Sequence, residues 1–125
     1  MDAEKIPLIL VVEDEPLIRA YAAEMLQDAG WRALEASDST DALKLLGAHP
    51  EVDVVFTDVT MPGEMDGLAL AECVHRLHPQ VELVVTSGRH VIANDNLPDD
   101  GTFLRKPYGF DDLIEVIASK LRASS

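Results

Sequence analysis

The sequence predicts an α/β fold built on a parallel sheet. Three observations carry that expectation. Short Val- and Leu-rich runs alternate with segments of helical periodicity along the whole chain. The first run, Ile6 to Val12, is apolar without interruption, which suits a strand buried on both faces rather than one face of an antiparallel sheet. No internal repeat, low-complexity stretch or linker divides the 125 residues, so one domain is expected.

Each element has its own warrant. Pro7 falls at the start of the first strand, where a missing N–H is tolerated. Pro16, preceded by Asp14 and Glu15, opens a helix in which Leu17, Ile18, Tyr21, Ala22, Met25 and Leu26 recur at helical spacing, and Gly30 stops it. Trp31 to Ala36 reads as a second strand, with Trp31 placed in the core. Asp38, with Asp41 three residues on, starts a short helix through Leu43 and Leu46 that ends at His49-Pro50. Val52 to Thr57 is a third strand. Asp66 caps a third helix through Leu68, Leu70, Ala71, Val74 and Leu77, stopped by Pro79. Val81 to Thr86 and Thr102 to Arg105 are the fourth and fifth strands. Phe110, Leu113, Ile114, Ile117 and Leu121 mark a last helix. Residues 89–100, with Asn94, Asn96 and Pro98, give little helix signal and predict a short, irregular fourth helix of one turn at best, then loop. Right-handed crossovers place helices on both faces of the sheet. The pattern favours a doubly wound strand order without selecting one.

Composition narrows the function. Ten Lys and Arg against 23 Asp and Glu give a net charge of −13, which repels phosphate backbones and anionic bilayers. Direct nucleic-acid or membrane binding is not expected. The single Cys73 offers no internal disulfide, and no apolar run reaches the roughly 20 residues of a membrane span, so a cytoplasmic setting is expected. Cys73 reads as a packing residue. His75 and His78, three apart on the third helix, read as exposed side chains rather than metal ligands.

In a parallel sheet the carboxyl ends of all strands share one edge, where ligands bind. Glu13-Asp14 follows the first strand, Asp58 the third, Thr86-Ser87 the fourth and Arg105-Lys106 the fifth. Taken singly, Asp14 or Asp58 reads as a helix cap, Lys106 as a surface cation and Thr86 as an ordinary strand residue. Their joint placement at separate strand ends points to a site. Three carboxylates brought together need a counter-charge. Mg²⁺, a hard cation that accepts one or two carboxylates and keeps waters, supplies it. A carboxylate nucleophile at Asp58, an ammonium at Lys106 and a hydroxyl at Thr86 then form a set able to take up a phosphoryl group.

These residues lie within a familiar series: Glu13-Asp14; Thr57-Asp58-Val59-Thr60-Met61-Pro62-Gly63; Met65-Asp66-Gly67; Val84-Val85-Thr86-Ser87-Gly88; Phe103-Leu104-Arg105-Lys106-Pro107-Tyr108. From Ile6 to Leu121 the chain resembles the receiver domain of bacterial two-component response regulators. The resemblance implies a flavodoxin-like doubly wound sheet of five parallel strands in the order 2-1-3-4-5, with helices on both faces. It implies one receiver domain over residues 1–125, with its core at 6–121 and no output domain. Asp58 is then the phosphoacceptor. Asp14 binds Mg²⁺ directly, Glu13 acts through water, and Asp58 with the Thr60 backbone carbonyl completes the protein ligands. Lys106 pairs with the phosphoryl group, Thr86 swings toward it, and Phe103 is the aromatic switch. Lys106-Pro107 is a step often found cis.

The implied function is a phosphoacceptor switch without turnover of its own. A histidine kinase or phosphotransfer protein donates the phosphoryl group, and a downstream protein target reads the result. The chain is expected as a monomer or a weak phosphorylation-linked dimer. Three departures stand out: the loop 62–67 is one residue longer than the commonest form, the stretch between Thr86 and Lys106 is short and poor in helix signal where the family usually has a clear fourth helix, and Phe103 replaces the frequent Tyr. Arg89 and His90 read as surface residues. An alternative is a Mg²⁺-dependent phosphatase-like enzyme with an Asp nucleophile, but the acid expected two residues later is Thr60. A phosphorylation-independent interaction module is a third reading. A flavin or nucleotide carrier lacks its Gly-rich loop after the first strand.

Overall fold

The computed structural model describes residues 5–59, 66–87 and 101–123. In chain order the elements are β1 (Leu8–Val12), α1 (Pro16–Asp28), β2 (Arg32–Ala36), α2 (Ser39–Ala48), β3 (Val54–Asp58), α3 (Gly67–Leu77), β4 (Glu82–Ser87), β5 (Thr102–Arg105) and α4 (Phe110–Ala123). The sheet runs β2-β1-β3-β4-β5, with every neighbouring pair parallel. This is the flavodoxin-like order. The irregular helix expected at 89–100, with Arg89 and His90, lies outside the described residues, as do residues 62–65 of the loop expected at 62–67.

The alternation of strand side chains divides the core in two. Leu8, Leu10, Val12, Val55, Leu83 and Val85 face α2 and α3, where Ala42, Leu46, Leu70, Ala71 and Val74 cover them. Ile9, Val11, Val54, Phe56 and Val84 face α1 and α4, which contribute Ala22, Met25, Leu26, Leu113 and Ile117. Burial on both faces is why β1 and β3 contain no exposed position. The edge strand β2 instead exposes Arg32 and Glu35, charges that discourage pairing with another sheet.

Helix starts follow their caps. Asp38 accepts from the Asp41 N–H at 2.8 Å, and Asp66 from the Ala69 N–H at 2.9 Å. Glu15 caps α1, with Pro16 at its first position. Gly30 has φ of +94°, which suits a residue without Cβ just past the helix end.

Four strands differ in their bounds from expectation, the fourth running Glu82–Ser87 rather than Val81–Thr86. The first strand begins at Leu8 rather than Ile6, because Ile6 is exposed and the Leu8 N–H turns to the Asp53 carboxylate at 3.0 Å. The second begins at Arg32, leaving Trp31 half-buried against the α1/α4 core. The third runs Val54–Asp58, so Asp58 is itself the last strand residue. The α1 periodicity also splits. Ala22, Ala23, Met25 and Leu26 are buried, whereas Leu17, Ile18 and Tyr21 are exposed. Leu17 and Tyr21 fall on the side of α1 away from Leu26, whereas Ile18 shares the side of Met25 and is exposed near the helix start.

Candidate functional site

The carboxyl edge gathers the polar residues. Glu13 follows β1 directly, and its N–H donates to the Ala36 carbonyl at 3.0 Å, extending the β1–β2 ladder by one step. Asp58 ends β3 and pairs in register with Thr86 on β4. Lys106 follows β5, and its N–H donates to the Ser87 carbonyl at 3.0 Å. By the strand period of two, Glu13, Asp58, Thr86 and Lys106 all fall on the α1/α4 side.

Lys106 joins the two carboxylates. Its Nζ lies 2.6 Å from Asp58 Oδ2 and 3.2 Å from Glu13 Oε1. Glu13 and Asp58 are 5% and 7% exposed, so these charge-assisted bonds operate largely away from water. Burial pushes the Glu13 carboxyl above its usual value, and Asp14 and Asp58 push the same way, against the opposing Glu15 N–H and Lys106. Burial alone would lower the Lys106 ammonium, but Asp58 first and then Glu13 outweigh it and hold the pKa above its ordinary 10.5. Asp14 is exposed beside this pair.

Thr86 is buried, and among the described residues its Oγ1 has no hydrogen-bond partner. An orphaned buried hydroxyl next to a strand-end carboxylate is a group poised for a visitor. Phe103 pairs in register with Val85 and packs on the α2/α3 core, so it and Thr86 belong to opposite faces of the sheet. The Lys106–Pro107 peptide is cis. Tyr108 stacks edge-on against Phe56, with centroids 5.6 Å apart at 78°, and burial pushes its phenol upward. Beside the site, Ile18, Tyr21, Lys106, Pro107 and Tyr108 line an open groove of about 440 Å³.

Thr60, expected to offer a backbone carbonyl, lies outside the described residues. Among those residues no group of three or more His, Cys, Asp and Glu side chains is gathered as a metal cage. His75 is exposed as expected, whereas His78, expected exposed, is half-buried at the α3 C-cap, where its backbone N–H bonds the Val74 carbonyl. Cys73 is half-buried, with an Arg76 nitrogen 3.6 Å from its sulfur.

Two residues matter that periodicity and strand-end reading do not single out. Gly67 opens α3 with its N–H on the Val59 carbonyl at 2.9 Å. A Cβ there would overlap the Asp58 carbonyl oxygen and lie 2.7 Å from Val59 Cα. Its place in Met65-Asp66-Gly67 was the available signal. Arg19 donates to the Glu13 carbonyl at 2.9 Å and to Glu35 at 3.2 Å, contacts for which the sequence carries no pattern.

The family model described as response regulator receiver domain matches residues 9–118. The chain is 36% identical over 120 residues to the sensor kinase CckA of Brucella abortus (strain 2308), covering 90% of this chain and 12% of that protein. It is 36% identical over 112 residues to the transcriptional regulatory protein PdtaR of Mycobacterium tuberculosis (strain ATCC 25618 / H37Rv), covering 87% and 54% respectively. It thus spans less than two thirds of either relative. The crystal structure of a response regulator receiver protein from Sinorhizobium medicae WSM419 superposes with a TM-score of 0.87 at 26% identity, covering 97% of this chain and 98% of that one.

Fold, strand-end residues and these matches define a class, the phosphoacceptor signalling switches of two-component systems. The chain belongs to the response regulator receiver domain family. Among the described residues no helix is long and apolar enough to cross a membrane.

Proposed function

We propose that this domain is phosphorylated on Asp58 by a histidine kinase or phosphotransfer protein and passes the signal on through protein–protein contact. The observation that carries the reading is Asp58 at the end of β3, held 2.6 Å from Lys106 and in register with the orphaned Thr86 hydroxyl.

The chemistry follows from these groups. An Asp58 carboxylate oxygen attacks the phosphorus of a phosphohistidine. The P–N bond breaks, its electron pair returns to the imidazole, and an aspartyl phosphate forms. Lys106, already on Asp58 Oδ2, stays close enough to neutralise charge on the incoming phosphoryl oxygens. Thr86 supplies a hydroxyl donor with no competing partner among the described residues. Burial holds the Glu13 carboxyl above its usual value, and the neighbouring Asp14 and Asp58 add to that shift against the opposing Glu15 N–H and Lys106.

Hard carboxylate oxygens with one position exposed to water fit Mg²⁺, which takes few protein ligands and retains its waters. Asp14 and Asp58 would hold it directly, Glu13 would act through water, and the Thr60 carbonyl would complete the set. The ion supplies positive charge that offsets repulsion between the acids and an anionic donor. Phe103 would report the rearrangement of Thr86 to the α2/α3 face, the face on which it packs.

Intact mass after incubation with acetyl phosphate and Mg²⁺ tests the assignment. One phosphoryl adduct is expected on the wild type and none on Asp58→Ala. An adduct of equal yield on Asp58→Ala would move the acceptor elsewhere.

A further inference from the structure

Resting on that reading of the site, we propose that Arg19 is a positioning residue. Its guanidinium, anchored by Glu35, fixes the peptide that joins Glu13 to Asp14 and so sets how the Asp14 carboxylate is presented to Mg²⁺.

The Glu13 unit is held at three of its four polar points by groups already described. Its N–H bonds Ala36, one carboxylate oxygen takes the Glu15 N–H at 3.2 Å, and the other takes Lys106 at 3.2 Å. The fourth point is the carbonyl, half of the peptide plane leading into Asp14. The described bond to it is from Arg19 Nη1, at 2.9 Å in a part-buried setting. That plane decides the direction in which Asp14 leaves the strand, since the peptide itself is rigid.

The guanidinium is in turn oriented. Its Nε donates to Glu35 Oε1 at 3.2 Å, and Glu35 stands in register with Val11, two residues before Glu13. The Arg19 side chain is 20% exposed and that of Glu35 44%. The ion pair therefore adds little stability as such. Its use is geometric: a planar fork with donors on separate nitrogens reaches a β2 carboxylate and the Glu13 carbonyl just past β1 at once. An ammonium keeps the charge but not the fork.

This separates positioning from simple charge compensation. If Arg19 only softened the negative potential near Glu13, Asp14 and Asp58, then Arg19→Lys would behave as wild type. If it holds the peptide, Lys fails, and Glu35→Ala weakens the site in the same direction although it removes a negative charge.

The experiment is a calorimetric Mg²⁺ titration of the full chain, with the Asp14 and Glu15 amide resonances recorded by NMR in metal-free protein. Arg32→Lys at the opposite end of the sheet serves as control. We expect Arg19→Lys to displace the Asp14 resonance and to weaken Mg²⁺ roughly tenfold or more, the usual effect of losing a group that orients a ligand. Glu35→Ala should do the same to a smaller degree, and Arg32→Lys neither. Wild-type Mg²⁺ affinity together with an unmoved Asp14 resonance in Arg19→Lys overturns the proposal. Displaced resonances in a protein whose wild type takes up no Mg²⁺ would instead uphold the clamp and sink the metal part of the proposed function.

Discussion

Thr86→Val separates the cost of the resting site from its use. Thr86 is 2% exposed, and among the described residues its hydroxyl oxygen has no partner. A buried unsatisfied polar group costs about 1–3 kcal/mol. Valine has nearly the same shape and removes that cost, so the unphosphorylated variant should gain roughly 1–2 kcal/mol. For a domain of this size that is a rise in melting temperature of about 3–8 °C. In the phosphorylated form the same hydroxyl would donate to an anionic oxygen, a bond worth about 1.5–3 kcal/mol. The variant should therefore bind beryllofluoride, a phosphoryl mimic, roughly 10- to 100-fold more weakly. The assay is thermal denaturation by circular dichroism of the free protein, paired with beryllofluoride titration in Mg²⁺. Thr86→Ser is the control: it keeps the hydroxyl, loses a methyl group, and should melt below wild type. A free Thr86→Val that melts lower than wild type would refute the reasoning, because the hydroxyl would then be satisfied at rest.

Other predictions follow from the same geometry. Lys106→Met removes the ammonium between Glu13 and Asp58 and should destabilise metal-free protein by roughly 3 kcal/mol at neutral pH, with Mg²⁺ restoring more stability to the variant than to wild type; equal Mg²⁺ effects on the two melting temperatures would contradict this. The folded pKa of Glu13 lies above its ordinary 4.5. Its contribution is thus complete below pH 4.5 and lost as pH rises through the folded value. Melting temperature scanned upward from pH 4 should show that loss in wild type, extended to higher pH in Lys106→Met, where the lowering influence of Lys106 is gone, and flattened in Glu13→Gln. Gly67→Ala forces the α3 start away from the Asp58 carbonyl and should cost about 2 kcal/mol while slowing acetyl phosphate uptake at Asp58; a fast, fully stable variant would show that the two backbones do not need their close approach. Asp38→Ala removes the α2 cap, far from the phosphoacceptor chemistry, and should lower stability by about 1 kcal/mol with phosphorylation rate unchanged.

Element order, the parallel sheet and the strand ends that carry Glu13, Asp58, Thr86 and Lys106 are legible in the sequence. The reason is local. A strand buried on both faces must be apolar throughout, as Leu8–Val12 is, and a residue that ends such a run must lie at the sheet edge, as Asp58 and Lys106 do. Caps at Asp38 and Asp66 were legible for the same reason, since a carboxylate and an N–H three residues on meet within one turn.

Other features depend on residues brought together across the chain. The exposure of Ile18, which shares a side of α1 with the buried Met25, depends on what stands opposite the helix start, whereas Leu17 and Tyr21 turn outward because the helical period puts them away from Leu26. The assignment of Thr86 and Phe103 to opposite faces is set by β4–β5 register. The grip of Arg19 on the Glu13 carbonyl needs the carboxyl ends of β1 and β2 side by side. The ban on a side chain at Gly67 arises where α3 meets the Asp58 backbone, a contact between elements that no local pattern encodes.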